Sequence, residues 1–210
     1  MPPLPLMRQR ILDAACDLIV NDGVAAATSR AIAARAGVDP IELGEQYASH
    51  EALLVDLLMR EYRGLRHDIA EDVARDPAGG LVSRIFHYAL SATYERPLAR
   101  ALYLMDPEGL GTILRAVHGT GFAPRLQADE RFLQTLQEVG MIRPDVDLRA
   151  LGAILSAFMF GSALTAASDV IDTTIAGLVM LLERAVDADV TDTEAGKQAL
   201  YELLARDPLD

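Results

Sequence analysis

One cysteine is all this chain has, Cys16, so no intramolecular disulfide can form. It stands among Leu12, Ala15 and Ile19 in a helical pattern, and reads as a packed thiol in a reducing cytoplasm rather than a redox or catalytic group. Alternating β-branched runs joined by Asn-Gly or Asp-Gly turns are missing, which excludes a sheet-based fold. No Ser/His/Asp or Cys/His set can be assembled from spacing. Gly119-Thr120-Gly121 follows no strand and lacks a lysine, so it is not a phosphate cradle. His67 and Glu71 lie one helical turn apart, but no third metal ligand accompanies them and a solvated helix face explains them better. Neither enzyme chemistry nor a cofactor nor a metal is expected. Positive charge is also short: 19 Lys and Arg against 31 Asp and Glu leave a net charge of −12. That excludes a protein that coats nucleic acid with its whole surface, so any DNA contact must be local. The opening Met1 to Met7 is short, broken by prolines and without a small-residue cleavage site, and reads as a loose arm rather than a signal peptide.

What is present is apolar mass at helical spacing. With 210 residues, 51% hydrophobic and 24% charged, the chain can bury a substantial core in one large domain or in a small domain fused to a medium one. Ala150 to Ser168 carries no charge and approaches the roughly 20 residues that cross a bilayer. Much of it is Ala, Gly, Ser and Thr, however, and it is the only such stretch, so burial against other helices explains it and no membrane span is expected.

Apolar residues recurring every three or four positions predict an all-α fold. Ile11, Ala15, Leu18 and Ile19 give a first helix from Arg8 to Val20, stopped by Asn21-Asp22-Gly23. Thr28 can cap a short second helix through Ala36, Gly37 supplies the positive φ of a tight reversal, and Val38 plugs the corner. Asp39-Pro40-Ile41-Glu42 combines an N-cap carboxylate, a proline at the first helical position and a Glu three residues after the cap, so a third helix starts there and runs to about Tyr47. Ser49 opens a longer helix with Leu53, Leu54, Leu57, Leu58, Tyr62, Leu65, Ile69 and Val73 on one stripe, up to Asp76-Pro77 and Gly79-Gly80. Further helices are predicted over 81–94, 97–105, 107–117, 124–139, 147–168, 173–186 and 191–206, with Pro97, Pro107, Pro144 and the Gly119–Gly121 break as joints. The expected division is a headpiece over 1–48 and a body over 49–210.

Two short helices joined by a glycine turn under a preceding helix make a helix-turn-helix, whose second short helix enters the major groove. Across Arg10 to Leu54 the order of residues is more specific: Ile11-Leu12-Asp13-Ala14-Ala15, Gly23, Thr28 with Ile32-Ala33, Ala36-Gly37-Val38, and Ser49-x-Glu51-Ala52-Leu53. This stretch resembles the headpiece of the TetR family of transcriptional regulators. The resemblance implies a homodimer that binds double-stranded palindromic operator DNA as a repressor and releases it when a small, apolar effector occupies the body. An alternative is a protein of this fold that has lost operator binding and acts through ligand or protein contacts. Position in the motif makes Thr28, Ser29, Arg30, Asp39, Pro40, Glu42, Gln46, Tyr47 and His50 the DNA-binding candidates. Asp39 and Glu42 fit two roles, starting a helix only or also meeting bases, and Tyr47 fits both DNA contact and core. From Arg8 to Glu51 the cations are Arg8, Arg10, Arg30 and Arg35, against Asp13, Asp17, Asp22, Asp39, Glu42, Glu45 and Glu51. Such a module gains little from phosphate neutralisation, so a shallow salt dependence is expected.

In the body, Ala153, Ala157 and Gly161 recur every four residues beside Phe158, and Ile175, Leu178, Val179 and Leu182 form a ridge on the next helix. These are the candidates for a symmetric helical dimer interface, which the family resemblance also implies. Phe86, His87, Tyr94, Tyr103, Met105, His118, Phe122, Phe132 and Met159 are the effector-binding candidates, being apolar or polar anchors on helices that enclose the cavity in proteins of this type.

Overall fold

The structure, a computed structural model, describes residues 6–102, 130–165 and 170–206. These form ten α-helices: α1 (Leu6–Asp22), α2 (Ser29–Ala36), α3 (Pro40–Gln46), α4 (His50–Arg75), α5 (Val82–Glu95), α6 (Pro97–Arg100), α7 (Glu130–Glu138), α8 (Leu148–Thr165), α9 (Ile171–Ala185) and α10 (Glu194–Ala205). A single 3-10 turn, Val24–Ala26, follows α1, and no strand occurs among the described residues. The all-α expectation holds. The helix expected over 107–117 lies outside the described residues. No helix among those described is long and apolar enough to cross a membrane.

The chain separates into two compact units, whose described parts are residues 6–63 with 97–102, and residues 64–96 with 130–165 and 170–206. The break falls within α4, after Arg63, whereas the sequence puts the functional boundary at 48/49.

The first unit is built on the side of α1 that carries Ile11, Leu12, Ala15, Leu18 and Ile19, all buried. Ile32 and Ala33 of α2, Leu43 of α3, Leu53, Leu54 and Leu57 of α4, and Leu98 and Leu102 complete that core. Cys16 is half-buried at its margin, and burial raises the thiol above its ordinary value, which keeps it protonated and unreactive. Exposed carboxylates on α1 are used as tethers: Asp13 takes a hydrogen bond from Arg60 at 2.5 Å, and Asp17 pairs with Arg35 of α2.

In the second unit α9 lies along α5, and α7 packs against both α8 and α10. Helix α5 has no side-chain cap of its own at Leu81. The Asp187 carboxylate supplies one from 104 residues away, accepting from the Ser83 N–H at 3.1 Å. Asp187 is placed there by a short backbone clamp, in which the Arg143 N–H donates to Val186 O at 3.0 Å and the Ala188 N–H to Met141 O at 3.1 Å. A second long-range joint fixes α10. Thr193 Oγ1 donates to Pro77 O at 2.7 Å and accepts from Gly80 N–H at 3.3 Å. The backbones of Gly80 and Gly196 then touch so closely that a Cβ on either would collide with the other strand of chain.

Two outcomes follow for the second unit. Gly196→Ala forces two backbones apart and should lower unfolding stability by about 1–3 kcal/mol, seen as a lower urea midpoint; an unchanged midpoint would show the crossing to be slack. Burial also pushes the Asp187 carboxyl above its ordinary value, against the pull of its hydrogen bonds to the start of α5. A carboxyl raised in the folded state favours folding below its unfolded pKa, and that contribution is lost as pH rises through the folded value. The melting temperature of Asp187→Asn relative to the natural chain should therefore rise from about pH 4 upward, and a pH-independent difference would exclude the effect.

Candidate nucleic-acid interface

The corner between α2 and α3 is set by four local devices within fifteen residues. Thr28 Oγ1 accepts from the Ala31 N–H at 3.2 Å and starts α2. Gly37 ends α2 at φ 63°, a left-handed conformation that an L side chain rarely adopts, and the Val38 N–H returns to Ala33 O at 3.0 Å. Asp39 Oδ1 accepts from the Ile41 N–H and Glu42 Oε2 from the Asp39 N–H, each at 2.8 Å, closing a capping box on α3. Arg10 braces the corner from α1, its guanidinium donating to Ala36 O at 2.5 Å and Gly37 O at 2.8 Å, where the carbonyl end of α2 favours a cation. Val38 is half-buried against the core, as expected of a plug.

Tyr47 answers the question left open by its position. It is only 5% exposed, and its hydroxyl donates to Asp56 Oδ2 at 2.7 Å. Arg8 Nε donates to the same carboxylate at 2.8 Å and to the Tyr47 oxygen at 3.2 Å, while its guanidinium lies 5.2 Å from the ring centre. Burial, with the neighbouring carboxylate, pushes the phenol far above its ordinary value. Tyr47 is thus a core anchor, and its candidacy as a DNA contact is corrected. Among the other candidates, Thr28, Arg30, Asp39, Pro40, Glu42 and Gln46 are exposed, while Ser29 and His50 are partly buried and paired, Ser29 Oγ to His50 Nδ1 at 3.3 Å.

A helix of 3.6 residues per turn puts Ile41 and Glu45 opposite Leu43 and Tyr47. Ile41 is 74% exposed, and Gly44 and Glu45 beside it are exposed too. The outward face is therefore centred on Ile41 and Glu45, with Gly44 exposed on its flank, and none of the three was singled out by position in the motif. The signal was present in the sequence as the antiphase of Leu43. Of the four cations between Arg8 and Glu51, Arg8, Arg10 and Arg35 are held by Asp56, by Ala36 with Gly37, and by Asp17. Arg30 alone of the four has no hydrogen-bond or ion-pair partner among the described residues.

The body candidates are placed as follows. Phe86 and Tyr94 on α5 and Phe132 on α7 are buried; His87 is half-buried, with its ring edge-to-face to Tyr88 at 5.1 Å. Tyr103, Met105, His118 and Phe122 lie outside the described residues, as do the side chains of Met159 and Gly161. Ala153 and Ala157 are exposed and Phe158 is half-buried on α8. Ile175, Leu178, Val179 and Leu182 are buried within the unit, on the helix that packs against α5, so the ridge expected to meet a partner is core instead. Among the apolar groups left outside in this unit are Ile154 on α8, 61% exposed, and Met180 and Leu181 on α9, 44% and 60% exposed. His67 and Glu71 form an exposed pair at 3.4 Å, and no group of three His, Cys, Asp or Glu able to hold a metal occurs among the described residues.

Residues 11–57 match the family model described as bacterial regulatory proteins, tetR family. No curated protein matches the sequence. Among solved structures, the fatty acid degradation regulator FadR from Bacillus halodurans is similar with a TM-score of 0.58 at 15% identity, over 86% of this chain and 96% of that one. A TetR transcriptional regulator from Streptomyces coelicolor gives 0.52 at 22% identity, over 87% and 99%. The ketosteroid transcriptional regulator of Mycobacterium tuberculosis gives 0.53 at 18% identity, over 89% and 98%. At these identities the likeness is one of fold. The resemblance read from Arg10 to Leu54 stands: the headpiece matches the TetR-family model, and the fold is that of TetR-type regulators.

Removing only the buried hydroxyl, Tyr47→Phe, should destabilise the first unit by about 1 kcal/mol, because Asp56 and Arg8 lose a shared partner. Chemical denaturation followed by circular dichroism reads the effect, and stability equal to that of the natural chain would mean that the network contributes nothing.

Proposed function

We propose that this chain is a cytoplasmic transcriptional regulator of the TetR type, a repressor that binds a palindromic operator as a homodimer and lets go when a small apolar effector enters the body. The observation that carries the reading is the corner itself: two capped helices reversed at Gly37, with α3 anchored only by its inner side and open to solvent along its outer one. That is the form in which a short helix can be laid into a major groove. The division of labour follows the sequence boundary, with residues 1–48 reading DNA and residues 49–210 pairing and binding the effector. Ile154 beside Ala153 and Ala157 on α8, and Met180 and Leu181 on α9, are exposed and supply apolar surface for a second copy. Thr28, Arg30, Gln46 and the start of α3 are the contacts assigned to DNA, and Phe86, Tyr94 and Phe132 belong to the wall of the effector site.

A second reading is favoured by the charge of the same surface. Asp39, Glu42, Glu45 and Glu51 are exposed around one free Arg30, which suits a protein of this fold that no longer binds an operator and works through ligand or protein contacts.

Salt separates the two. One unengaged arginine per headpiece makes two per dimer, and at about −0.9 per neutralised phosphate the slope of log K against log salt concentration should be roughly −2. The measurement is a binding titration of the dimer on the promoter regions beside its own gene, at low and moderate salt. A slope near that of a protein with six or more phosphate contacts would contradict the charge assignment, and no binding even at low salt would select the second reading.

A further inference from the structure

Glycine in the middle of a helix costs about 1 kcal/mol relative to alanine, and usually a close neighbour or a positive φ explains it. Gly44 has neither. A Cβ built on it meets no atom within 4 Å, and its φ is not positive. Nothing within the described chain thus accounts for the missing side chain there. Beside it, Ile41 places a bulky apolar group in water at 74% exposure, on a helix whose core contacts are already supplied by Leu43 and Tyr47. Glu45, one turn on, is exposed and makes no hydrogen bond or ion pair among the described residues. Glu42 differs, because its carboxylate is committed to the cap of α3.

Resting on the DNA-binding reading above, we propose that base identity is read by this Ile41–Gly44–Glu45 face: Ile41 packs on the 5-methyl group of a thymine, Glu45 accepts from a cytosine amino group, and bare Gly44 lets the helix approach the base edges. The chemistry matches what the major groove offers. Only thymine presents a methyl there, and the cytosine N4 amino group is the donor that a carboxylate can take. The spacing matches as well, since four residues of helix rise about 6 Å and successive base pairs about 3.4 Å, so the two contacts fall on bases one or two steps apart. A carboxylate at the centre of the face is compatible with DNA where it meets base edges, because the phosphates lie at the groove's rims.

The test begins with the full-length chain and a random duplex library, enriched at low salt. Each thymine of the enriched half-site is then replaced by uracil, which deletes the methyl group and nothing else. At one position this should weaken binding about fourfold, and Ile41→Ala should bind the thymine and uracil duplexes equally. Glu45→Gln should relax the preference for cytosine at a position within two steps of it. Gly44→Ala should raise the melting temperature of the free protein while weakening the enriched duplex, a pair of effects that a purely structural glycine would not give. Enrichment of a sequence that is indifferent to uracil everywhere, or an Ile41→Ala variant that still discriminates, overturns the inference and leaves the DNA-binding reading in place. If no duplex is enriched at low salt, the DNA-binding reading itself fails, and this inference with it.

Discussion

Seven residues cannot hold a helix in water, since the first turn fixes several dihedral angles before any hydrogen bond is gained. Helix α3 persists because Leu43 and Tyr47, one turn apart, are sunk into the core of α1, α2 and α4, and because Asp39 and Glu42 satisfy its first amide groups. Tyr47 is held at depth by a single polar device: its hydroxyl and the Arg8 guanidinium share the Asp56 carboxylate. With the inner side so fixed, every other side chain of α3 is free to face outward. The exposed face of α3 is thus a by-product of how the helix is anchored.

The same economy governs charge. The arginines near the corner act as structural braces, Arg10 on the carbonyl end of α2 and Arg35 on Asp17 of α1. A guanidinium in this role closes carbonyls and carboxylates that would otherwise be left to water, but it is withdrawn from any phosphate. Structural use of cations and an acidic exposed rim are two sides of one arrangement, and together they leave Arg30 as the free positive charge of the corner.

Local signals were legible because local physics produces them. The Thr28 cap, the left-handed Gly37 and the Asp39–Glu42 box each act within four residues, and each stands in the structure where the sequence placed it. Helical period located nearly every described helix to within a few residues. It failed where the deciding partner is remote. Gly79-Gly80 reads as a helix break, yet Gly80 is bare because the backbone of Thr193, at the start of α10, presses against it; Asp187 looks like an ordinary residue after a helix, yet it caps α5. The ridge of α9 shows the same limit, for period reveals an apolar face without revealing whether the chain itself or a second copy covers it. Tyr47 was decidable from its place four residues after Leu43, which puts both on one side of α3. Reading by position in a motif obscured that, and it obscured Ile41 and Glu45 for the same reason.

A reader built this way would divide its free energy unusually. Phosphate neutralisation supplies the part of affinity that every DNA sequence shares, whereas base contacts supply the part that distinguishes one site from the rest. A headpiece with one available cation would have little of the first, so its grip on arbitrary DNA would be weak and base contacts would form a larger share of its grip on the right site. Selectivity would then come from poor general attraction as much as from good local fit. The cost would be a total affinity low enough that two headpieces had to act together, which would make pairing through the body a condition of binding at all.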